Sequence, residues 1–119
     1  MVSFSYRLGL PREADLVFDV RFLSNPHYVY ELRSLAGYDP AVGAYIANDP
    51  ECAPFLESID QMLQTLIPLY QKEGKSYLTV AIGCPGGRHR SVYIAGDLTR
   101  RLLVAGLKST VRHRDVEKG

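Results

Sequence analysis

Residues 77–105, YLTVAIGCPGGRHRSVYIAGDLTRRLLVA, change period at their middle, and that change decides the fold class. Tyr77–Ile82 is a nearly continuous apolar run rich in β-branched residues, which predicts a strand buried on both faces and central in its sheet. From Ser91 to Ala105 the pattern turns helical. Val92, Ile94, Ala95, Leu98, Leu102 and Leu103 fall on one side and Asp97, Arg100 and Arg101 on the other, with Gly106 as the stop. Leu107–Arg114 returns to extended character. Strand, glycine loop, helix and strand in that order predict a βαβ unit with parallel strands. The expected fold is therefore α/β: a small, three-layer-like domain with a mostly parallel sheet and a glycine-rich anion-binding loop between a central strand and a helix.

The rest of the sequence extends this pattern. Val2–Tyr6 alternates apolar and polar residues and Asp15–Val20 is a short apolar run, so both read as strands, with Gly9 and Pro11 turning the chain between them. Arg21–Asp39 contains Asn25-Pro26 and Gly37 and reads as a long irregular loop. That length hints at a binding segment, because long unstructured connections are uncommon in compact domains. Pro40–Ala47 predicts a short helix. Phe55–Tyr70 predicts a longer one through Phe55, Leu56, Ile59, Leu63, Leu66, Ile67 and Tyr70, with Pro68 expected to kink or end it.

Composition narrows the function classes. The 119 residues suit one domain, and 46% hydrophobic with 23% charged residues is an ordinary globular balance. A formal charge of +1 supplies no overall field for nucleic acid or membranes, so such binding would need a local patch. Cys52 and Cys84 form no CxxC and predict neither disulfide nor zinc framework, and His27, His89 and His113 form no paired metal motif. The opening MVSFSYRLGLPRE has no basic flank leading into a long apolar run, and no apolar window approaches ~18 residues. The expected compartment is the cytoplasm.

The chemistry concentrates in Gly83–Ser91, GCPGGRHRS. A glycine-rich turn entering a helix presents backbone N–H groups at the positive end of that helix, beyond the carboxyl ends of the strands where α/β sheets bind ligands. Gly83, Gly86 and Gly87 permit close approach of a ligand, and Arg88, His89 and Arg90 add cationic donors. The expected ligand is phosphate or a similar anion; the bland alternative is a tight turn whose basic residues face water. No cofactor motif is present, and the GxxxxGK[ST] loop of nucleotide hydrolases is absent.

Cys84, Gly87, Arg90 and Ser91 also reproduce the C-x-x-G-x-x-R-[ST] pattern of cysteine-dependent phosphatases. There the thiolate attacks phosphorus, the arginine clamps phosphate oxygens and the hydroxyl assists the leaving cysteine. Two departures stand against it. Gly83 replaces the usual histidine before the cysteine, and His89 stands where glycine is common. No general acid is placed, although Asp19 and Asp39 are available.

Taken together, DVRFLSNPHY at 19–28, LRSLAGYD at 32–39, SYLTVAIGCPGGRHRSVYIA at 76–95 and VRHRDVEK at 111–118 resemble the C-terminal domain of the RapZ/YvcJ family of RNase adapter and nucleotide-binding proteins. The resemblance runs from Val2 to Lys118. It implies a non-catalytic sensor of a phosphosugar, glucosamine-6-phosphate, that also binds small regulatory RNA, presents it to an endoribonuclease and self-associates. Carried over by residue, it implies that His27, Ser76, Gly86, Arg88, His89 and Arg90 surround the phosphosugar, and Asn25 with the loop residues Cys84, Pro85, Gly87 and Ser91 completes the candidate ligand site. Arginines and amides would take the phosphate; Asn25, His27 and Ser76 would meet the sugar. Pro85 is a departure, since the family commonly has threonine there. Full-length members also carry an N-terminal P-loop domain outside this sequence, so nucleotide functions are not carried over.

Lys108, Arg112, Arg114 and Lys118, with His113, are candidates for an RNA-contacting patch that neutralises backbone phosphates. Their alternative is a solvated strand end. Asp19 and Arg21 read as a structural ion pair, and Tyr28, Tyr30, Tyr77 and Tyr93 as packed rather than base-stacking residues. Three readings compete: a phosphosugar sensor, a cysteine phosphatase using Cys84, Arg90 and Ser91, and a module chiefly for RNA binding or oligomerisation.

Overall fold

The computed structural model describes residues 1–118. Four strands, β1 (Val2–Ser5), β2 (Leu16–Asp19), β3 (Val80–Cys84) and β4 (Arg112–His113), form one sheet in the order β2-β3-β1-β4 with every pairing parallel. Three helices accompany it: α1 (Pro40–Ala47), α2 (Cys52–Lys72) and α3 (Arg90–Val104). The α/β class and the parallel sheet follow the sequence pattern. The unit β3-α3-β4 is parallel as expected, but β4 docks beside β1, so the crossover passes over one strand.

Register divides the sheet into two faces. Ser3 lies beside Ile82 and Ser5 beside Cys84, while Val2 lies beside Ala81 and Phe4 beside Gly83. Val80, Ile82 and Cys84 face α3 and share one core with Val42 and Ile46 of α1, Leu56, Ile59 and Leu63 of α2, and Ile94, Leu98 and Leu102 of α3. On the opposite face Val2, Phe4 and Ala81 are covered by Tyr6 and Ala14 of the connection from β1 to β2. The third layer is thus a crossover segment rather than a helix. Burial of the larger core supplies the main stabilisation, at roughly 25 cal/mol per Å² of apolar surface.

Several boundaries differ from those the sequence predicts. β3 begins at Val80 because Tyr77 is exposed, and it runs on through Gly83 and Cys84. Gly83 is a strand residue whose missing side chain makes room for rings: a Cβ there would meet Phe4 Cζ at 2.4 Å and Tyr6 Cε2 at 2.6 Å. Helix α2 does not stop at Pro68. That proline is exposed in the last part of the helix, and the carbonyl of Gln64 that loses its partner lies on the solvated side, so the helix continues to Lys72. Within Leu107–Arg114 only Arg112 and His113 pair. In α3, Asp97 is buried rather than on the solvated side, held by Arg100 and Arg101, and Leu103 is exposed. Arg21–Asp39 has no α-helix or strand, as expected, but two short 3-10 turns at Pro26–Tyr28 and Tyr30–Leu32.

Candidate functional site

The carboxyl ends of β1 and β3 bring Ser5 and Cys84 side by side, and the chain from Pro85 to His89 folds over them before entering α3. Ser5 Oγ donates to the Pro85 carbonyl at 2.6 Å. Gly87 has φ +69° and lies so close to β1 that a Cβ would stand 2.8 Å from both the Ser5 Cβ and its backbone N. Only glycine combines that conformation with that approach. Among the described residues the amides of Gly86, Arg88, His89 and Arg90 donate to no protein acceptor, whereas Gly87 N–H points at Cys84 Sγ, 3.3 Å away. Free amides at the start of a 15-residue helix make an electropositive concavity.

The basic side chains of the loop are occupied differently from the way their composition suggests. Arg88 Nε donates to the Leu35 carbonyl at 3.0 Å, and its Nη2 to that of Ser34. His89 Nε2 lies 3.2 Å from the Arg33 carbonyl. Arg90 Nη1 donates to the carbonyls of Arg21 and Leu23, at 2.5 and 3.2 Å. These three residues therefore staple the irregular segment of residues 21–39 to the glycine loop. Gly37 completes the join, donating its N–H to Arg88 O at 2.9 Å. Burial holds the His89 imidazole below its ordinary pKa, against the opposing effect of hydrogen bonds to the backbone of Leu35 and Arg33. Arg90 is 7% exposed, and its buried Nε donates to no described atom. A buried charged donor of that kind favours an anionic acceptor.

A cavity of about 450 Å³ opens between the two stapled segments. Cys84, Pro85, Gly86, Arg88, His89 and Arg90 form one side; Asn25, His27, Tyr28 and Arg33, with Arg7 from the end of β1, form the other. No carboxylate lines it. Asn25 Oδ1 caps the Pro26–Tyr28 turn by accepting from His27 N–H, which fixes the His27 backbone at the cavity edge. Ser91 sits beneath the loop, its Oγ accepting from the Cys84 thiol at 3.2 Å. Sequence reading missed Arg7 and Arg33 and gave Tyr28 no part. Arg7 was open to inference, because it follows directly on a strand whose carboxyl end faces the glycine loop.

Two of the expected groupings do not form within one chain. Ser76 lines a separate cavity of about 380 Å³ with Tyr70, Lys75 and Lys108, at the amino end of β3 and so at the opposite end of the sheet from the loop. Lys108 lines that same cavity. Arg112 pairs with Glu13 at 2.9 Å. Arg114 grips the buried Asp115 at 2.8 Å, donates to Gly9 O at 2.5 Å and lies 5.8 Å from the Phe4 ring centre, which pins the crossover to the sheet. Lys118 stands 3.9 Å from the same Asp115 carboxylate. The Asp19–Arg21 ion pair is present at 2.7 Å. Tyr28, Tyr30 and Tyr77 are exposed rather than packed.

As a phosphatase constellation the loop is half assembled. Cys84, the Gly87 amide and Ser91 sit together, and of the Arg90 guanidinium Nη1 is committed to two carbonyls while Nε donates to no described atom. The Asp39 carboxylate accepts from Ala36 N–H at 2.7 Å at the N-cap position of α1, and neither it nor Asp19 lines the cavity. Among the described residues Cys52 and Cys84 are free thiols, no group of His, Cys, Asp and Glu is arranged to hold a metal, and no helix is long and apolar enough to cross a membrane.

Comparison with known proteins is decisive for the family. A family model described as the RapZ C-terminal domain matches residues 1–117. The chain belongs to that family. A nucleotide-binding protein of Rhodospirillum rubrum is 59% identical over 116 residues, which cover 98% of this chain and 36% of the relative. Those of Paramagnetospirillum magneticum and Geobacter metallireducens are 57% and 55% identical, covering 99% and 98% of this chain and 39% and 41% of theirs. The RapZ C-terminal-type chain thus spans about two fifths of the length of the curated relatives it matches. The family places it among regulatory domains.

Proposed function

We propose that this RapZ C-terminal-type domain is a non-catalytic sensor that binds a phosphate-bearing sugar in the cavity between the glycine loop and residues 25–33. The single observation that carries the reading is the set of unengaged amides of Gly86, Arg88, His89 and Arg90 at the start of α3, facing a cavity lined by arginine and free of carboxylates. A phosphate monoester carries a charge of about −1.5 to −2 near neutrality and suits such a setting. Asn25, His27 and Tyr28 stand on the opposite wall, where hydroxyl groups of a sugar would meet them. Glucosamine-6-phosphate is the sugar that family membership suggests.

The same geometry gives the sensor an output. The residues that frame the phosphate site also hold residues 21–35, so occupancy acts on a segment that displays Phe22, Tyr28 and Tyr30 at the surface. Contact with RNA, an endoribonuclease or another protein partner is read from that surface. The names of the relatives fit a phosphate-bearing ligand for those proteins. For this chain the glycine loop belongs to the phosphosugar rather than to a hydrolysed nucleotide.

The test is calorimetric titration with glucosamine-6-phosphate, with glucosamine and inorganic phosphate as controls, on the natural chain and Gly86→Leu. A Cβ at Gly86 meets no neighbouring atom within 4 Å, so the variant should keep the fold, which a thermal melt checks, and reach into the cavity that Gly86 lines. Sugar phosphate binding that exceeds phosphate binding tenfold and disappears in Gly86→Leu supports the sensor. Equal binding by both proteins sinks it. Turnover of a phenyl phosphate with burst release of phenolate, lost in Cys84→Ser, would instead establish the phosphatase.

A further inference from the structure

We infer that the groove between α1 and α3 is a docking site for a protein partner and receives an arginine side chain from it. A cavity of about 380 Å³ lies there, walled in part by the rings of Tyr38, Tyr93 and His113 and by Asp39, Asp97 and Arg100. Cavities that take ligands span roughly 300–1,000 Å³. None of its lining residues borders the glycine-loop cavity, so the two sites are distinct.

Charge selects the occupant. Arg100 is bound to Asp97, whose second oxygen takes Arg101 Nε at 2.7 Å, so these charges are already answered. Asp39 is different. Its Oδ2 accepts from Ala36 N–H at 2.7 Å, but among the described residues Oδ1 accepts from no donor and the carboxylate joins no ion pair. One unanswered negative charge thus stands among aromatic and apolar walls. An anion placed there would meet that carboxylate and find no free cation. Burial lowers the pKa of His113, which leaves its ring neutral near pH 7 and unopposed to a positive ligand.

The rings favour the guanidinium. Tyr38 is 61% exposed, and its ring centre lies 6.0 Å from that of His113 with the planes tilted by 44°, so ring faces remain uncovered. Aromatic faces attract cations within about 6 Å, and a guanidinium, planar and weakly hydrated, stacks on them where an ammonium cannot. Shape supplies the source of that cation. Gly43, Ala44 and Ala47 of α1 and Gly96 of α3 line the rest of the groove. Ala44 and Ala47 are exposed, and a Cβ at Gly96 would meet no neighbouring atom within 4 Å. A peptide main chain can therefore lie along the two helices while its side chain reaches the rings and Asp39.

Heteronuclear NMR titration of the isotope-labelled chain tests this with three capped tripeptides, glycine-arginine-glycine and its lysine and citrulline counterparts. They are applied to the natural chain, to Asp39→Asn and to Gly96→Leu. Asparagine keeps an acceptor for Ala36 N–H while removing the charge, and leucine suits a helix better than glycine while filling the groove; thermal melts check both folds. The arginine peptide should shift the amides of Gly37, Gly43 and Gly96 saturably, with a Kd of about 1–10 mM, and leave those of Gly86 and Gly87 unmoved. It should bind at least about fivefold more tightly than the lysine and citrulline peptides, and each variant should weaken it by about fivefold or more. A lysine or citrulline peptide that matches arginine overturns the inference. So do shifts centred on the glycine loop, unchanged affinity in either variant, or no saturable shift up to about 50 mM peptide.

Discussion

Arg90→Lys is the substitution that most directly tests the staple between the glycine loop and residues 21–24. It keeps the positive charge at the start of α3 and removes the planar fork. In the natural chain Nη1 of a residue only 7% exposed donates to two carbonyls, Arg21 O and Leu23 O. Hydrogen bonds from charged groups contribute about 1.5–3 kcal/mol each, and lysine's ammonium, which has the donors but a shorter reach, is expected to keep one of the two carbonyls. The loss of the other, with poorer packing around the ammonium, amounts to about 2–4 kcal/mol. For a chain of 119 residues that corresponds to a fall in Tm of roughly 10–15 °C. Urea denaturation measures the first figure and calorimetry the second. Amide hydrogen exchange should show faster opening at the amides of residues 20–24 than in the α2 core. A loss under about 0.5 kcal/mol, or uniform loosening of the whole domain, refutes the assignment of Arg90 as a staple and returns its charge to the ligand alone.

Gly37→Ala should be severe, at about 3 kcal/mol or more, because its Cβ would lie 2.2 Å from His89 O and 2.6 Å from Tyr93 N, both backbone atoms. Gly43→Ala, which meets only the Tyr93 ring at 3.0 Å, is its control, and denaturant melts should separate the two by at least about 2 kcal/mol. Arg114→Ala should cost about 3–5 kcal/mol by leaving the buried Asp115 carboxylate without its main partner, while Arg112→Ala, in an exposed pair with Glu13, should cost under about 1 kcal/mol. Burial alone would raise the Asp115 pKa, but hydrogen bonds from Arg114 and the Ser5 amide outweigh it and hold the carboxyl below its ordinary value. Its stabilisation is therefore present above about pH 4 and lost as pH falls through the lower folded value, and Asp115→Asn should flatten that acid limb in pH-dependent melts. Burial also lowers the pKa of His113, beside Ser3, and of His89. The unfolded chain then takes up protons first as pH drops below about 6.5, stability falls over that window, and His113→Gln should reduce the slope.

Hydrophobic period was enough to read the architecture, because a strand buried on both faces and an amphipathic helix leave different marks in sequence. Val80–Cys84 and Arg90–Val104 carry those marks with the glycine loop between them, and family membership bears out the resemblance of the surrounding motifs. Element ends were less legible. Gly83 reads as loop by composition, yet the rings of Phe4 in the neighbouring strand and of Tyr6 just after it require a residue without a side chain there. Pro68 reads as a stop, yet on an exposed helix face the lost hydrogen bond is replaced by solvent.

The roles of the basic residues were the least legible part, for a physical reason. A guanidinium binds a carbonyl and a phosphate through the same N–H groups, so sequence reveals the donor and not its acceptor. RHR at 88–90 looks like a set of ligand hands, but the long loop from Arg21 to Asp39 returns unpaired carbonyls to within reach. Arg88, His89 and Arg90 satisfy those of Arg21, Leu23, Arg33, Ser34 and Leu35. An irregular segment packed against the fold must have its carbonyls met by something, and here the basic run beside the glycines meets them. What remains for an anion is the part of the site with no residue signature, namely backbone amides, together with arginines distant in sequence. Arg7 and Arg33 join the site only because β1 ends beside β3 and because the stapled loop folds back over both.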